Sequence, residues 1–210
     1  FRSPGNYEGK IDIVSNDYRS QFHHVNVSIT VREKSNPENI IPIAGDVADC
    51  EIDKSRNIIY IAVSDKNIVY SYNMNTSVIK DEFILDRNVY GVSLSEDNSR
   101  ILIGQNGKVS VYDTDTKELI NEIETDFVAT DVTDGMNGFY YISKRDADFR
   151  AYFYSYNTFT GELTPSGRYI DNMEGSSLLK LKDSSYMLAA RYETLPNGIT
   201  LVDRSEERRV

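Results

Sequence analysis

One stretch of the sequence comes close to a calcium-binding loop. Asp113, Asp115 and Glu124 stand at positions one, three and twelve of such a loop. However, position five is Lys117 instead of an oxygen ligand, and position six is Glu118 instead of Gly. The alternative is a tight turn in which Asp and Thr side chains bond the local backbone. The sequence favours the turn and predicts no metal site here.

Two further carboxylates, Asp49 and Asp131, lie on predicted strands and could act as acid–base groups or as ligands. An alignment of these strands by eye places Asp49 opposite Gly91 and Thr130, with Asp131 one residue further along. The two carboxylates therefore do not form a consistent set, and no His is near them in the sequence to act as a general base. We interpret them as polar strand residues, and the catalytic residues stay unknown.

The remaining reactive side chains are few. His23 and His24 are the only histidines, and a metal site would need further ligands at a recognised spacing. We expect them on the surface, in a hairpin loop. Cys50 is the only cysteine, so no intrachain disulfide can form. Its apolar-alternating surroundings predict a small buried side chain. No residue pattern predicts a cofactor.

The amino-acid composition limits which kinds of molecule the chain is expected to bind. The chain has 210 residues and a net charge of −10, which disfavours nucleic acid because a phosphate backbone would be repelled. No run of 18 apolar residues is present, so no membrane span is predicted in this segment. Among 210 residues, 15 are Tyr, and such aromatic enrichment suits half-buried strands.

The elements that position these residues form a repeat. Residues 86–124 contain four short apolar strands separated by turn formers, which is typical of one propeller blade. Similar units stand on either side: their third strands end at Tyr72-Asn73, Tyr112-Asp113 and Tyr156-Asn157, and Thr76, Thr116 and Thr160 follow. A fourth unit starts near Gly175. No stretch has helical periodicity, so we expect almost no helix.

Both ends depart from the repeat. Residues 1–31 contain two period-2 segments around a polar turn, which predicts a hairpin. Residues 32–39 are polar, contain Pro37 and predict a linker. Residues 40–43 are predicted as a short apolar strand. Residues 204–210 are abruptly polar and are interpreted as a non-native tail.

Two resemblances follow from these residues. The pattern of Gly9 to Asp17 followed by Val25 to Val31 resembles the last two strands of bacterial immunoglobulin-like modules, which are common in secreted and surface proteins. The segment Val111-Tyr112-Asp113-Thr114-Asp115-Thr116-Lys117 and its counterparts resemble YVTN-type and lactonase-like propellers, a group related to WD40-like repeats. The second resemblance covers about residues 46–203 and implies an all-β propeller of four-stranded blades.

These features lead to one expectation for the domains and one for the function. Residues 1–31 would end a truncated immunoglobulin-like sandwich, and residues 40–203 would be about four blades of a larger ring. The alternative for residues 40–203 is a closed ring of four blades, which four units of about 40 residues would fill. We expect a non-catalytic module of an exported or cell-surface bacterial protein that binds a protein or carbohydrate ligand or acts as a scaffold. The alternatives are a lactonase- or lyase-type enzyme with its site at the channel mouth, and a cytosolic interaction platform.

Overall fold

The computed structural model describes residues 5–14, 22–31, 40–135, 138–145, 151–165, 176–180, 186–191 and 199–203. These residues form 15 strands and a single 3₁₀ turn, Ser64–Lys66. All strand pairs are antiparallel. The expected all-β class and scarcity of helix are confirmed for this part of the chain. Within the same residues, no helix is long and apolar enough to cross a membrane.

The chain divides into two compact units, Phe1–Pro42 and Ile43–Val210. In the first unit, β1 (Gly5–Val14) pairs with β2 (Phe22–Val31) along its whole length. The predicted hairpin is therefore present. His23 and His24 were expected in its loop, but they lie in β2, opposite Ile13 and Asp12. The reason is that β1 continues to Val14, and its backbone partners extend β2 back to Phe22.

The predicted strand at residues 40–43 is wrong. Residues 40–46 form no strand, and Ile40 is 84% exposed. Pro42 has no N–H to donate to a sheet, which opposes pairing here. The predicted linker, residues 32–39, and the predicted tail, residues 204–210, lie outside the described residues.

The second unit begins with a four-stranded sheet in which each strand pairs with the next. Its strands are β3 (Val47–Asp53), β4 (Ile58–Val63), β5 (Ile68–Asn73) and β6 (Val78–Ile84). We call this sheet repeat 1. The central strand β4 is the most apolar, and almost all of its residues are buried.

Six strands follow in one continuous sheet, again in chain order. They are β7 (Val89–Leu94), β8 (Arg100–Asp113), β9 (Leu119–Asp134), β10 (Phe139–Arg145), β11 (Ala151–Asn157) and β12 (Leu163–Pro165).

The strand β8 folds back on itself. Its 14 residues would span about 46 Å if straight. Instead, the amide of Thr114 donates to the carbonyl of Ser99 at 3.0 Å, which joins the two ends. Gly107, with φ of +79°, supplies the left-handed conformation for the turn inside β8. Two strands of the predicted 86–124 unit are therefore the two arms of β8.

β9 also serves two sets of strands. Its first part pairs with the second arm of β8, through Lys108 and Glu124, and its second part pairs with β10. The six-stranded sheet thus contains two consecutive four-stranded sets, residues 89–124 (repeat 2) and 127–165 (repeat 3). A three-stranded sheet of β13 (Ser176–Lys180), β14 (Tyr186–Arg191) and β15 (Ile199–Asp203) forms repeat 4.

Repeats 1, 2 and 3 pack face to face in succession. In repeat 2, Ile101 and Ile103 join a buried cluster with Tyr60 of repeat 1. Leu102, between them in sequence, joins a second cluster with Ile142 of repeat 3. Successive side chains of a strand point to opposite faces, so this apolar run is buried on both sides.

The other face of repeat 1 is exposed only in part: Ile61 and Val63 of β4 are buried there, whereas the edge strand β3 is open to solvent, and this corrects the expectation for Cys50. The thiol of Cys50 is exposed, not buried. The strand alternates as predicted, with Asp53 buried and its neighbour Ile52 exposed, but Cys50 stands on the solvent side. Five large apolar side chains of repeat 1 are also exposed: Val47, Ile52, Val78, Ile79 and Ile84.

Candidate functional site

The calcium-like stretch is a turn. Oδ1 of Asp113 accepts the amides of Asp115 and Thr116, each at 2.8 Å. These backbone hydrogen bonds lower the pKa of the Asp113 carboxyl. Lys117 closes the turn in the left-handed region, with φ of +64°. The predicted local bonding is confirmed, and it uses the side chain that would have been the first calcium ligand.

The same turn recurs in repeats 1 and 3. Oδ1 of Asn73 accepts the amides of residues 75 and 76, and Oδ1 of Asn157 accepts those of residues 159 and 160. Ser77 and Gly161 take the place of Lys117, both with positive φ. Among the described residues, no group of three His, Cys, Asp or Glu side chains has the geometry of a metal site.

The carboxylates Asp49 and Asp131 occupy equivalent positions, which the alignment by eye missed. Each of β3, β7 and β9 has a one-residue register shift, just before Asp49, Gly91 and Asp131. The alignment by eye was one residue out in repeat 3. In repeat 3, three residues separate the paired residues Gly135 and Phe139, whereas four separate Asp53 from Ile58 and four separate Ser95 from Arg100.

Both carboxylates bridge two strands in the same way. Oδ1 of Asp49 accepts the amide of Cys50, the next residue, and Oδ2 accepts the amide of Val92 in repeat 2, both at 2.8 Å. Oδ1 of Asp131 accepts the amide of Val132 at 2.7 Å, and Oδ2 accepts that of Leu178 in repeat 4 at 2.6 Å. Each Asp therefore fixes the first strand of one repeat against the first strand of another.

Burial changes the acidity of this pair. Loss of solvent raises the pKa of Asp131 to about 7, and the charge of Asp49 adds to the rise, although the two backbone amides oppose it. The pKa of Asp49 is also raised by burial, against its own two amide hydrogen bonds. A carboxyl group that titrates near neutral pH can exchange a proton under physiological conditions.

Repeat 2 has no carboxylate at this position. Gly91 stands there, and a Cβ on Gly91 would lie 2.7 Å from Cα of Asp131 and 2.9 Å from the carbonyl oxygen of Thr130. The backbones of repeats 2 and 3 thus approach too closely for any side chain. At this one position, repeats 1 and 3 have a carboxylate, from Asp49 and Asp131, and repeat 2 between them has Gly91.

A second polar cluster ties repeat 1 to repeat 2, and the sequence analysis did not identify it. The carboxylate of Asp53 is fully buried, and the guanidinium of Arg56 donates to its Oδ2 at 2.8 Å. Arg56 also donates to the carbonyl of Asn98 at 3.0 Å and to Oδ2 of Asp115 at 3.2 Å. Burial alone would raise the pKa of Asp53, but the hydrogen bonds from Ser55 and Arg56 lower it.

We expect Arg56→Met to destabilise the second unit strongly. The substitution keeps much of the side chain's volume but leaves the buried Asp53 carboxylate without its cation, and breaking a buried ion pair costs about 3 kcal/mol or more. Arg87→Met is a matched control, because Arg87 pairs with Glu124 at 3.3 Å on the surface, where a pair contributes about 0–1 kcal/mol. Urea unfolding of both variants measures the difference, and equal losses would contradict the assigned role of Arg56.

A groove of about 440 Å³ opens between the turns of repeats 2 and 3. Its lining includes Ser95, Glu96, Asp97, Arg100, Asp134 and Tyr140. The guanidinium of Arg100 donates to the hydroxyl of Tyr140 at 3.3 Å. The volume lies within the range of small-molecule sites, and the lining offers hydroxyl groups, carboxylates and one cation.

Comparison with known proteins gives a fold but no family. The sequence matches no protein-family model and no curated protein. The structure is similar to that of Kuenenia stuttgartiensis hydrazine synthase, with a TM-score of 0.64 and 13% identity over 82% of this chain and 50% of that chain. The chain thus spans about half the length of that relative, and at this identity the likeness shows the all-β fold alone.

Proposed function

We propose that residues 47–203 are successive blades of a β-propeller, part of a larger ring. Three features support this architecture: the strand order within each repeat, the recurring turn at Asn73, Asp113 and Asn157, and the face-to-face packing of consecutive repeats. The exposed apolar side chains on the outer face of repeat 1, such as Ile52 and Ile84, support a further neighbour, because a repeat of this kind is stable only when both faces are covered.

We propose that this propeller is a non-catalytic binding or scaffold module. The observation that carries this is the use of the inner carboxylates. Asp49 and Asp131, the side chains best placed for acid–base chemistry, each accept two backbone amides with their two oxygens. The groove between repeats 2 and 3 is then a candidate ligand site, and its carboxylates and hydroxyls suit ligand binding.

The proposed location is outside a bacterial cell or on its surface. The support is the N-terminal hairpin, whose two ten-residue strands pair throughout in the pattern that resembles the end of an immunoglobulin-like module. Antibody detection in fractionated source cells tests this, and a purely cytosolic signal would contradict it.

One observation favours the enzymatic alternative. The pKa of Asp131 is raised to about 7 by burial, which is the range expected of a general acid or base. A lactonase- or lyase-type reaction in the propeller channel would use such a group. Each oxygen of Asp131 already accepts one backbone amide, from Val132 or Leu178, so a substrate would have to reach one of the remaining lone pairs.

Parallel binding and turnover assays distinguish the two functions. We expect the purified chain to bind a ligand from a panel of glycans and peptides and to hydrolyse no member of a lactone panel between pH 6 and 8. We also expect Asp131→Asn to retain ligand binding, since the groove is formed by other residues. Lactone turnover that Asp131→Asn abolishes would overturn the binding-module proposal and establish the enzyme.

A further inference from the structure

The outer face of repeat 1, which points away from repeat 2, is built like the faces that form the described junctions. Repeats 2 and 3 each pack on the repeat before them through two side chains of the second strand and a tyrosine at the end of the third. These side chains are Ile101, Ile103 and Tyr112 in repeat 2, and Tyr140, Ile142 and Tyr156 in repeat 3.

The same positions of repeat 1 hold the same kinds of side chain. One amide–carbonyl hydrogen bond recurs in the three repeats and aligns their strands, from Met74 to Asn57, from Thr114 to Ser99 and from Thr158 to Gly138. In this alignment the counterparts of the junction residues are Ile59, Ile61 and Tyr72. The outer face of repeat 1 therefore suits a further repeat of the same kind.

The first-strand positions of this face are covered in repeat 2 but open in repeat 1. Val92 is 3% exposed and is the counterpart of Cys50, whose thiol is exposed. Leu94 is 1% exposed and is the counterpart of Ile52, which is 47% exposed. In repeat 2 these positions are covered by the sheet of repeat 1. The sheet that would cover them in repeat 1 is not among the described residues.

The inner strand defines what that sheet must carry. Gly91 of repeat 2 lies so close to repeat 3 that a Cβ would be 2.7 Å from Cα of Asp131. Asp49 stands in repeat 1 where Asp131 stands in repeat 3, and Oδ1 of each accepts the amide of the next residue, at 2.8 and 2.7 Å. The repeat that packs on the outer face of repeat 1 therefore needs glycine at the position of Gly91.

Repeat 4 does not meet this requirement. The amide of Leu178 donates to Asp131 as that of Val92 donates to Asp49, so Leu178 is the counterpart of Val92. Ser177 is then the counterpart of Gly91. A closed ring of four would bring repeat 4 against repeat 1 and place the Cβ of Ser177 where the backbone of Asp49 leaves no room.

We propose that the outer face of repeat 1 receives a further repeat of the same ring, one with glycine at the position of Gly91, and that repeat 4 is not this neighbour. The ring then has more than four repeats, and residues 47–203 form an open arc of it. This inference rests on the proposed propeller architecture and defines the partner that its open face takes.

Cys50 is a natural reporter of this contact, because it is the only cysteine of the chain and its thiol lies on the open face. The test labels two proteins with a maleimide: the purified chain in dilute solution and the complete protein purified from source cells. Mass spectrometry of the peptide that contains Cys50 gives the labelling rate. We expect this rate to be at least tenfold lower in the complete protein, where the neighbouring repeat covers the thiol.

A variant of the chain tests the glycine requirement directly. Gly91→Ser puts between repeats 2 and 3 the residue that a ring of four would place between repeats 4 and 1. We expect the melting temperature of the second unit to fall by at least about 5 °C. Gly9→Ser is the control, because a Cβ at Gly9 meets no atom within 4 Å, and it should change the melting temperature by no more than about 2 °C.

Three results would overturn the inference. Slow labelling in both proteins would mean that the chain covers its own outer face and closes a ring of four. Fast labelling in both would mean that no neighbour exists, and the larger ring would fall too. Wild-type melting of Gly91→Ser would remove the glycine requirement. The binding-module function is decided separately by the ligand and lactone panels.

Discussion

Replacing Gly91 with Ala is expected to lower the free energy of unfolding of the second unit by about 2–3 kcal/mol. The added Cβ would lie 2.7 Å from Cα of Asp131 and 2.9 Å from the carbonyl oxygen of Thr130. Both are backbone atoms, so no rotamer change can relieve the overlap, and repeats 2 and 3 must move apart. A loss of this size corresponds to a fall in melting temperature of roughly 5–10 °C for a chain of this length.

The control is the same chemical change at Gly9. A Cβ on Gly9 would meet no atom within 4 Å, and Gly→Ala at a compatible site stabilises by about 0.4–1 kcal/mol because the unfolded chain loses freedom. Calorimetry of the two variants and the wild type measures both effects. If the Gly91→Ala variant unfolds at the same temperature as the wild type, the inference that the backbones of repeats 2 and 3 leave no room for a side chain at Gly91 is wrong.

The repeat could be predicted because it depends on local bonding. Asn73, Asp113 and Asn157 each bond amides two and three residues ahead, and such turns leave a signature in adjacent residues. The hairpin of residues 5–31 was predictable for the same reason, since alternation and a polar turn are both local.

The features that the sequence analysis missed depend on contacts between distant residues. Alternation in β3 was predicted, but which face is buried depends on the packing of repeat 2, and Cys50 proved to lie on the exposed face. The equivalence of Asp49 and Asp131 is hidden because the connection between the first two strands is one residue shorter in repeat 3 than in repeats 1 and 2. A local signal for the Arg56 cluster did exist, because Asp53, Ser55 and Arg56 form one side-chain-bonded turn. Its contacts with Asn98 and Asp115, 42 and 59 residues away, leave no such signal.

Asp131 should make the second unit less stable as the pH rises. The folded-state pKa of its carboxyl is about 7, above the value of about 3.9 expected in the unfolded chain. A carboxyl group whose pKa is higher in the folded state contributes most to the free energy of unfolding at pH values below its unfolded-state pKa. This contribution is lost as the pH rises through the folded-state pKa. Between pH 5 and pH 8 the free energy of unfolding is expected to fall by about 3 kcal/mol. This follows because pH 5 lies about two units below the folded-state pKa and each unit is worth about 1.4 kcal/mol.

Asp131→Asn should remove most of this pH dependence. The amide cannot ionise, so the free energy of unfolding of the variant should change little between pH 5 and 8 apart from contributions of other groups. Asp49, whose pKa is also raised by burial, remains in the variant and keeps part of the slope.

Asp81→Asn is the matched control, because it makes the same change on the exposed strand β6 and should keep the wild-type slope. Urea unfolding of all three proteins at pH 5, 6, 7 and 8 gives the slopes. Parallel curves for wild type and Asp131→Asn would mean that Asp131 is ionised throughout this range. The two amides of Val132 and Leu178 would then outweigh the burial of Asp131, and the argument that Asp131 exchanges a proton near neutral pH would fail.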